Sequence, residues 1–161
     1  MLAGLAAAAL VAAGAVGAAD DERLLAANGL AMRAPAGWTR VATALAGNVS
    51  DPRTALVVGT RGVVARDSEC QVAAYQIPTD GAAVVVLAWR AAANGLPRDR
   101  SQLAGLQLKR PIFECWDGRG AVAQIALKGR GYQLNVLVGD RASRTTIAEA
   151  LAVARSFAVA D

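Results

Sequence analysis

The chain has 161 residues, 55% hydrophobic and 19% charged, with two cysteines, no histidine and a formal net charge of +4. That length and mix belong to one globular domain large enough to bury its own core without a structural metal. Without histidine it cannot assemble Ser-His-Asp or Cys-His catalytic sets, His-ligated zinc or a facial iron triad, which removes most hydrolase designs.

The first 19 residues, MLAGLAAAALVAAGAVGAA, hold no charged side chain and run into Asp20-Asp21-Glu22-Arg23. This reads as an export leader, residues 1–19, with small-x-small cleavage sites at Val16-Gly17-Ala18 and Gly17-Ala18-Ala19. Uncleaved, it would be a signal anchor: as a helix it spans about 28 Å, barely the hydrocarbon thickness, and Ala and Gly insert weakly. Residues 20–161 are then expected to form a single domain.

After the leader, Asn28-Gly29 between apolar segments predicts a hairpin, because both residues accept positive φ. Strands are expected over Thr54–Thr60 (TALVVGT) and Gln71–Ile77 (QVAAYQI), with Arg66-Asp67-Ser68-Glu69 marking a loop between them. Ala82–Arg90 (AAVVVLAWR) is a continuous apolar run entered from the turn Pro78-Thr79-Asp80-Gly81. Continuity predicts burial on both faces and a central place in the sheet, with a helix over one face and a second layer or a partner over the other.

Residues Ala91–Pro111 read as an irregular connection with a helical turn. The segments AVAQIALK and YQLNVLVG then flank Gly129-Arg130-Gly131 as a second hairpin, with Tyr132, Leu134, Val136 and Val138 alternating against Gln133 and Asn135. Finally, Ile147, Ala150, Leu151 and Ala154 lie at helical spacing, with Thr146-x-x-Glu149 as a capping box and Arg155 in the last turn. Together these elements predict an α+β fold: a mainly antiparallel sheet built from hairpins, with a C-terminal amphipathic helix packed on one face.

Export makes an even pair of cysteines a disulfide by default, so Cys70 is expected to bond Cys115. A zinc site would need two carboxylates beside the two thiolates. A nucleophilic Cys115 would be hampered by Glu114 and Asp117, which raise a thiol pKa. Closing a loop of about 46 residues would stabilise the fold by roughly 4 kcal/mol in the chain-entropy picture.

Two acidic pairs, Asp67 with Glu69 and Glu114 with Asp117, could meet across the bridge as a glycosidase-like acid and base, although such pairs are ordinarily solvated turn residues. Calcium would need six or more oxygens, and no EF-hand spacing exists. Among the tryptophans, Trp89 and Trp116 read as core, leaving Trp38 as the one free to be exposed. The dense basic stretch Arg98, Arg100, Lys109 and Arg110 is the candidate anion-binding site. Its weight is reduced by composition, since lysine stands only at 109 and 128 against fifteen arginines. No cofactor is expected, and few aromatics are available to stack on nucleic-acid bases.

Gly59-Thr60, Cys70, AYQIPTDGAAVVVLAWR, Cys115, YQLNVLVG and the final helix follow one another in an order that resembles small exported single-disulfide domains of high-GC Gram-positive bacteria. That resemblance implies one disulfide and an extracytoplasmic location, and carries no activity. More remotely, Pro35-Ala36-Gly37-Trp38 after the first hairpin and Ser156-Phe157 at the end of the last helix are similar to the PsbP-type α/β/α sandwich, which does not require the cystine. The expected function is a non-enzymatic extracytoplasmic domain, secreted or membrane-anchored, that binds a protein partner or an anionic surface polymer. A carboxylate-based hydrolase and the sensor domain of a membrane-anchored regulator are the alternatives.

Overall fold

The computed structural model describes residues 22–44, 49–92, 94–109 and 115–160, so the predicted leader, Arg110 and Glu114 lie outside the described residues. In chain order the elements are β1 (Arg23–Ala27), β2 (Leu30–Ala34), β3 (Trp38–Arg40), β4 (Arg53–Thr60), β5 (Val64–Ala65), β6 (Tyr75–Gln76), β7 (Ala82–Ala88), α1 (Ser101–Ala104), β8 (Arg119–Leu127), β9 (Arg130–Val138), α2 (Arg144–Arg155) and β10 (Ala158–Val159).

Two hairpins use the same device. Asn28 and Gly29, at φ 54° and 72°, close β1 on β2 with Ala27 opposite Leu30. Lys128 and Gly129, at φ 46° and 75°, close β8 on β9 with Leu127 opposite Arg130. A two-residue turn with both centres at positive φ matches the twist of its strands, so the second hairpin closes ahead of Arg130 and Gly131, which lie inside β9.

The main sheet is antiparallel in the order β3-β4-β7-β9-β8, which puts β7 at its centre as its unbroken apolar run requires. Alternate residues of β7 feed two cores. Ala82, Val84 and Val86 join Leu134, Val136, Val138, Leu56 and Val58 in the first, while Ala83, Val85 and Leu87 join Val57 and Leu137 in the second.

The first core lies under α2, whose Ala150, Val153 and Ala154 are buried. α2 packs on β7 and β9 and also against β2, the middle strand of a small sheet ordered β1-β2-β10. Just after the helix, the Phe157 ring meets Tyr132 at 5.3 Å between centroids. The second core is roofed by the segment 61–77, in which β5, β6 and the connection between them lower Val63, Val72, Ala74 and Tyr75 onto the opposite sheet face.

The expected α+β class is therefore corrected: the protein is mainly β, with 42% of the described residues in strands and 12% helical, in three sheets among the described residues. The cause is non-local pairing. The two-residue β10 becomes a strand because β2 offers it an edge from more than a hundred residues away, and β1 and β2 form a separate sheet. Only Tyr75–Gln76 of the predicted strand Gln71–Ile77 pairs, since the residues before it turn around Cys70. The predicted capping box is also displaced. Ser143 is the N-cap of α2, its Oγ accepting the Thr146 N–H at 3.0 Å.

The outer edge of β8 is closed by the strap 97–109, which contains α1. Pro97 O accepts the Ala126 N–H at 2.7 Å, Gln102 Oε1 accepts the Gln124 N–H at 2.9 Å, and Lys109 and Gly120 exchange two backbone bonds. Covering an edge in this way denies it to other chains. Among the described residues, no helix is long and apolar enough to cross a membrane.

Candidate ligand clefts beside the disulfide

Cys70 and Cys115 are bonded, with their Cα atoms 6.5 Å apart. Cys70 is half-buried at the margin of the second core, its N–H held by Ser68 Oγ at 3.1 Å, whereas Cys115 is exposed. The bridge thus ties the roof of the second core to the chain about to enter β8. Such a bond is compatible with an extracellular location. Trp116 packs beside it, donating Nε1–H to Arg119 O at 3.4 Å and seated so closely on Gly118 that a methyl group there would strike the indole.

Cys115 stands between two clefts. The first, of about 500 Å³, runs beneath the bridge on the sheet face opposite α2. Val49, Pro52, Val72, Leu87 and the cystine make it mainly apolar, with Gln71, Gln133 and Glu69 as its polar groups. Gln71 is fixed by donating Nε2–H to Pro52 O at 2.8 Å. Gln133 is fixed from both ends of its amide: Oε1 accepts from Gln124 Nε2 at 2.8 Å, and Nε2 donates to Asn135 Oδ1 at 2.9 Å. Asn135, fully buried, completes the chain by donating to Val85 O at 3.4 Å. The ladder crosses β8, β9 and β7 and satisfies amides that would be costly to bury unpaired. Among the described residues that line the cleft, Glu69 is the one ionisable side chain apart from the bonded cysteines.

The second cleft, of about 430 Å³, lies on the other side of Cys115 and is polar, with Arg66, Thr79, Trp116, Asp117 and Asp140 around it. Gly139 lets β9 leave the sheet here. A methyl group at that position would sit on the carbonyl oxygens of Pro78 and Thr79.

Of the predicted acidic pairs, three residues can be placed. Glu69 lines the first cleft, Asp117 the second, Asp67 is exposed, and Glu114 lies outside the described residues. Among the described residues there is no group of three or more Cys, Asp or Glu able to hold a metal ion.

The basic stretch is spread out. Arg98 is exposed, while Arg100 donates Nη2–H to Arg155 O at 2.6 Å and to Phe157 O at 2.7 Å, where the carbonyls at the end of α2 need donors. Lys109 holds the strap to Gly120 through its backbone and borders a separate hollow beside Arg119. Arg110 is outside the described residues. Just before α1, Asp99 Oδ1 takes the Ser101 N–H at 2.9 Å; bonds from the Ser101 side chain and backbone hold the Asp99 carboxyl below its ordinary range.

Trp38, expected at the surface, is buried in the first core and donates Nε1–H to Glu149 Oε2 at 3.2 Å. Tyr75, in the roof of the second core, accepts the Ala44 N–H at 3.0 Å; burial pushes its hydroxyl above the usual range, and that bond offsets part of the rise. Gln133, Gln71, Val49, Arg66 and Asp140 were not singled out by the sequence. The available signal was Gln133 and Asn135 in an otherwise apolar strand, since two amides on one face of a buried strand need partners on that face.

No family model, curated protein or solved structure matches this chain.

Proposed function

We propose that this chain is a non-enzymatic extracytoplasmic domain, secreted or held at the outer face of the membrane by residues 1–19, which binds a protein partner through the cleft beneath the Cys70–Cys115 bridge. The observation that carries the reading is the make-up of that cleft. Its volume is in the range of ligand sites, its walls are mainly apolar, and its two amides, Gln71 and Gln133, are already fixed in place by internal bonds. Val49 stands at the rim with 43% of its surface exposed, as suits an apolar anchor awaiting a partner's side chain. Glu69 and Asp117 face different clefts, so these two do not serve together as the acid–base pair of a hydrolase.

A photo-crosslinking amino acid at position 49, compared with one at Ala152 on the exposed side of α2, tests the reading in producing cells. The expected result is one discrete adduct from position 49 that disappears when Glu69 and Gln133 are both changed to Arg, and none from position 152. Equal labelling from both positions, or no adduct at 49, would refute it.

A further inference from the structure

We infer that the second cleft, on the opposite side of Cys115 from the partner cleft, is a binding site for a neutral saccharide. Three observations converge on polyhydroxylated ligands. Trp116 is half-exposed at the cleft wall, its indole held in one place by Gly118 beneath it and by the bond from Nε1 to Arg119 O. An aromatic ring held in this way offers an amphipathic surface for the C–H face of a sugar. The carboxylates of Asp117 and Asp140 are exposed at the same cleft, and neither makes a bond to another described side chain. Arg66 lines the same cleft, its guanidinium anchored through Nε to Ala73 O at 2.8 Å and its terminal nitrogens without a bond to another described side chain.

The donor and acceptor pattern selects among ligand classes. A hydroxyl group both donates and accepts, so adjacent sugar hydroxyls can donate to Asp117 and Asp140 while accepting from Arg66. A phosphate or carboxylate ligand only accepts. It would satisfy Arg66 but press its charge on two carboxylates left without partners. The neighbouring Arg119, bonded to the carbonyls of Gly139 and Asp140, and Arg141, bonded to Thr79, are not among the residues that line the cleft. Gly139 adds space, since any side chain there would displace the turn that forms one wall.

The test is a titration of the purified, oxidised full-length protein, followed by tryptophan emission and by calorimetry. The probes are neutral oligosaccharides of gluco, manno, galacto, arabino and N-acetylglucosamine type, with a polyphosphate as the anionic comparison. At least one neutral oligosaccharide should saturate the protein and shift its emission, and polyphosphate should not compete. The Asp117→Ala/Asp140→Ala variant should bind that sugar about tenfold more weakly or worse at an unchanged urea midpoint. A Trp116→Phe variant should keep part of the affinity and lose the emission change. Failure of the whole neutral panel, undiminished binding by the double variant, or displacement of the sugar by polyphosphate would overturn the assignment.

Discussion

Replacing both bridge cysteines by alanine tests how the second sheet face is kept covered. The cysteines are 45 positions apart, so the bond closes a loop of about 46 residues that contains β7. In the chain-entropy treatment, opening a loop of that size releases denatured-state entropy worth about 4 kcal/mol at 25 °C. The roof contributes a further, smaller amount, because Cys70 packs at the edge of the second core and truncation removes its sulfur. With a urea dependence of about 2 kcal/mol per molar, the midpoint should fall by roughly 2 M. Comparing the double variant with the reduced wild-type protein separates the two contributions, since reduction opens the loop and leaves the sulfurs in place. A midpoint within about 0.5 M of the oxidised protein would show that the bridge does not restrain the chain in the way proposed.

Smaller perturbations probe individual contacts. Ser143→Ala should cost about 1 kcal/mol in urea unfolding and Thr146→Ala distinctly less, because Ser143 supplies the cap; the reverse order would restore the predicted capping box. Trp38→Phe keeps the ring in the first core but removes the donor to Glu149, and should cost about 1.5 kcal/mol, with Glu149→Gln milder because it keeps an acceptor. Gly139→Ala should lower the thermal midpoint severely, as its methyl group has no place beside the Pro78–Thr79 turn. Alkaline unfolding reports on Tyr75. Its folded hydroxyl ionises above the ordinary value of 10.0, so this contribution is whole below that pH and is lost as the pH rises through the folded value. Tyr75→Phe should flatten the decline in stability above pH 10 while losing about 1 kcal/mol at neutral pH for the Ala44 bond.

What could be read from the sequence was local. Asn28-Gly29 announced its hairpin because the turn is decided by two residues, and β7 announced its central place because every position along it is apolar. The cystine followed from counting cysteines in a chain expected to be exported. Contacts distant in the sequence were not legible. The partner of Trp38 is 111 residues away, and Arg100 serves carbonyls 55 and 57 residues further on, so an arginine that looked like part of a charged surface is a helix terminator. The class of fold was missed for the same reason, since β2 and β10 pair across almost the whole chain. The first cleft was invisible because its walls come from five separate stretches, around Val49, Cys70, Leu87, Cys115 and Gln133, joined only when the roof closes on the sheet.

Binding beneath the bridge is tested most directly by methyl nuclear magnetic resonance of the labelled, oxidised protein, recorded before and after addition of the partner captured through position 49. The shifts should be confined to Val49, Val72 and Leu87, leaving Ile147 and Leu151 on α2 unmoved. Perturbation centred on the α2 methyls, with the three cleft residues unchanged, would contradict the proposed site.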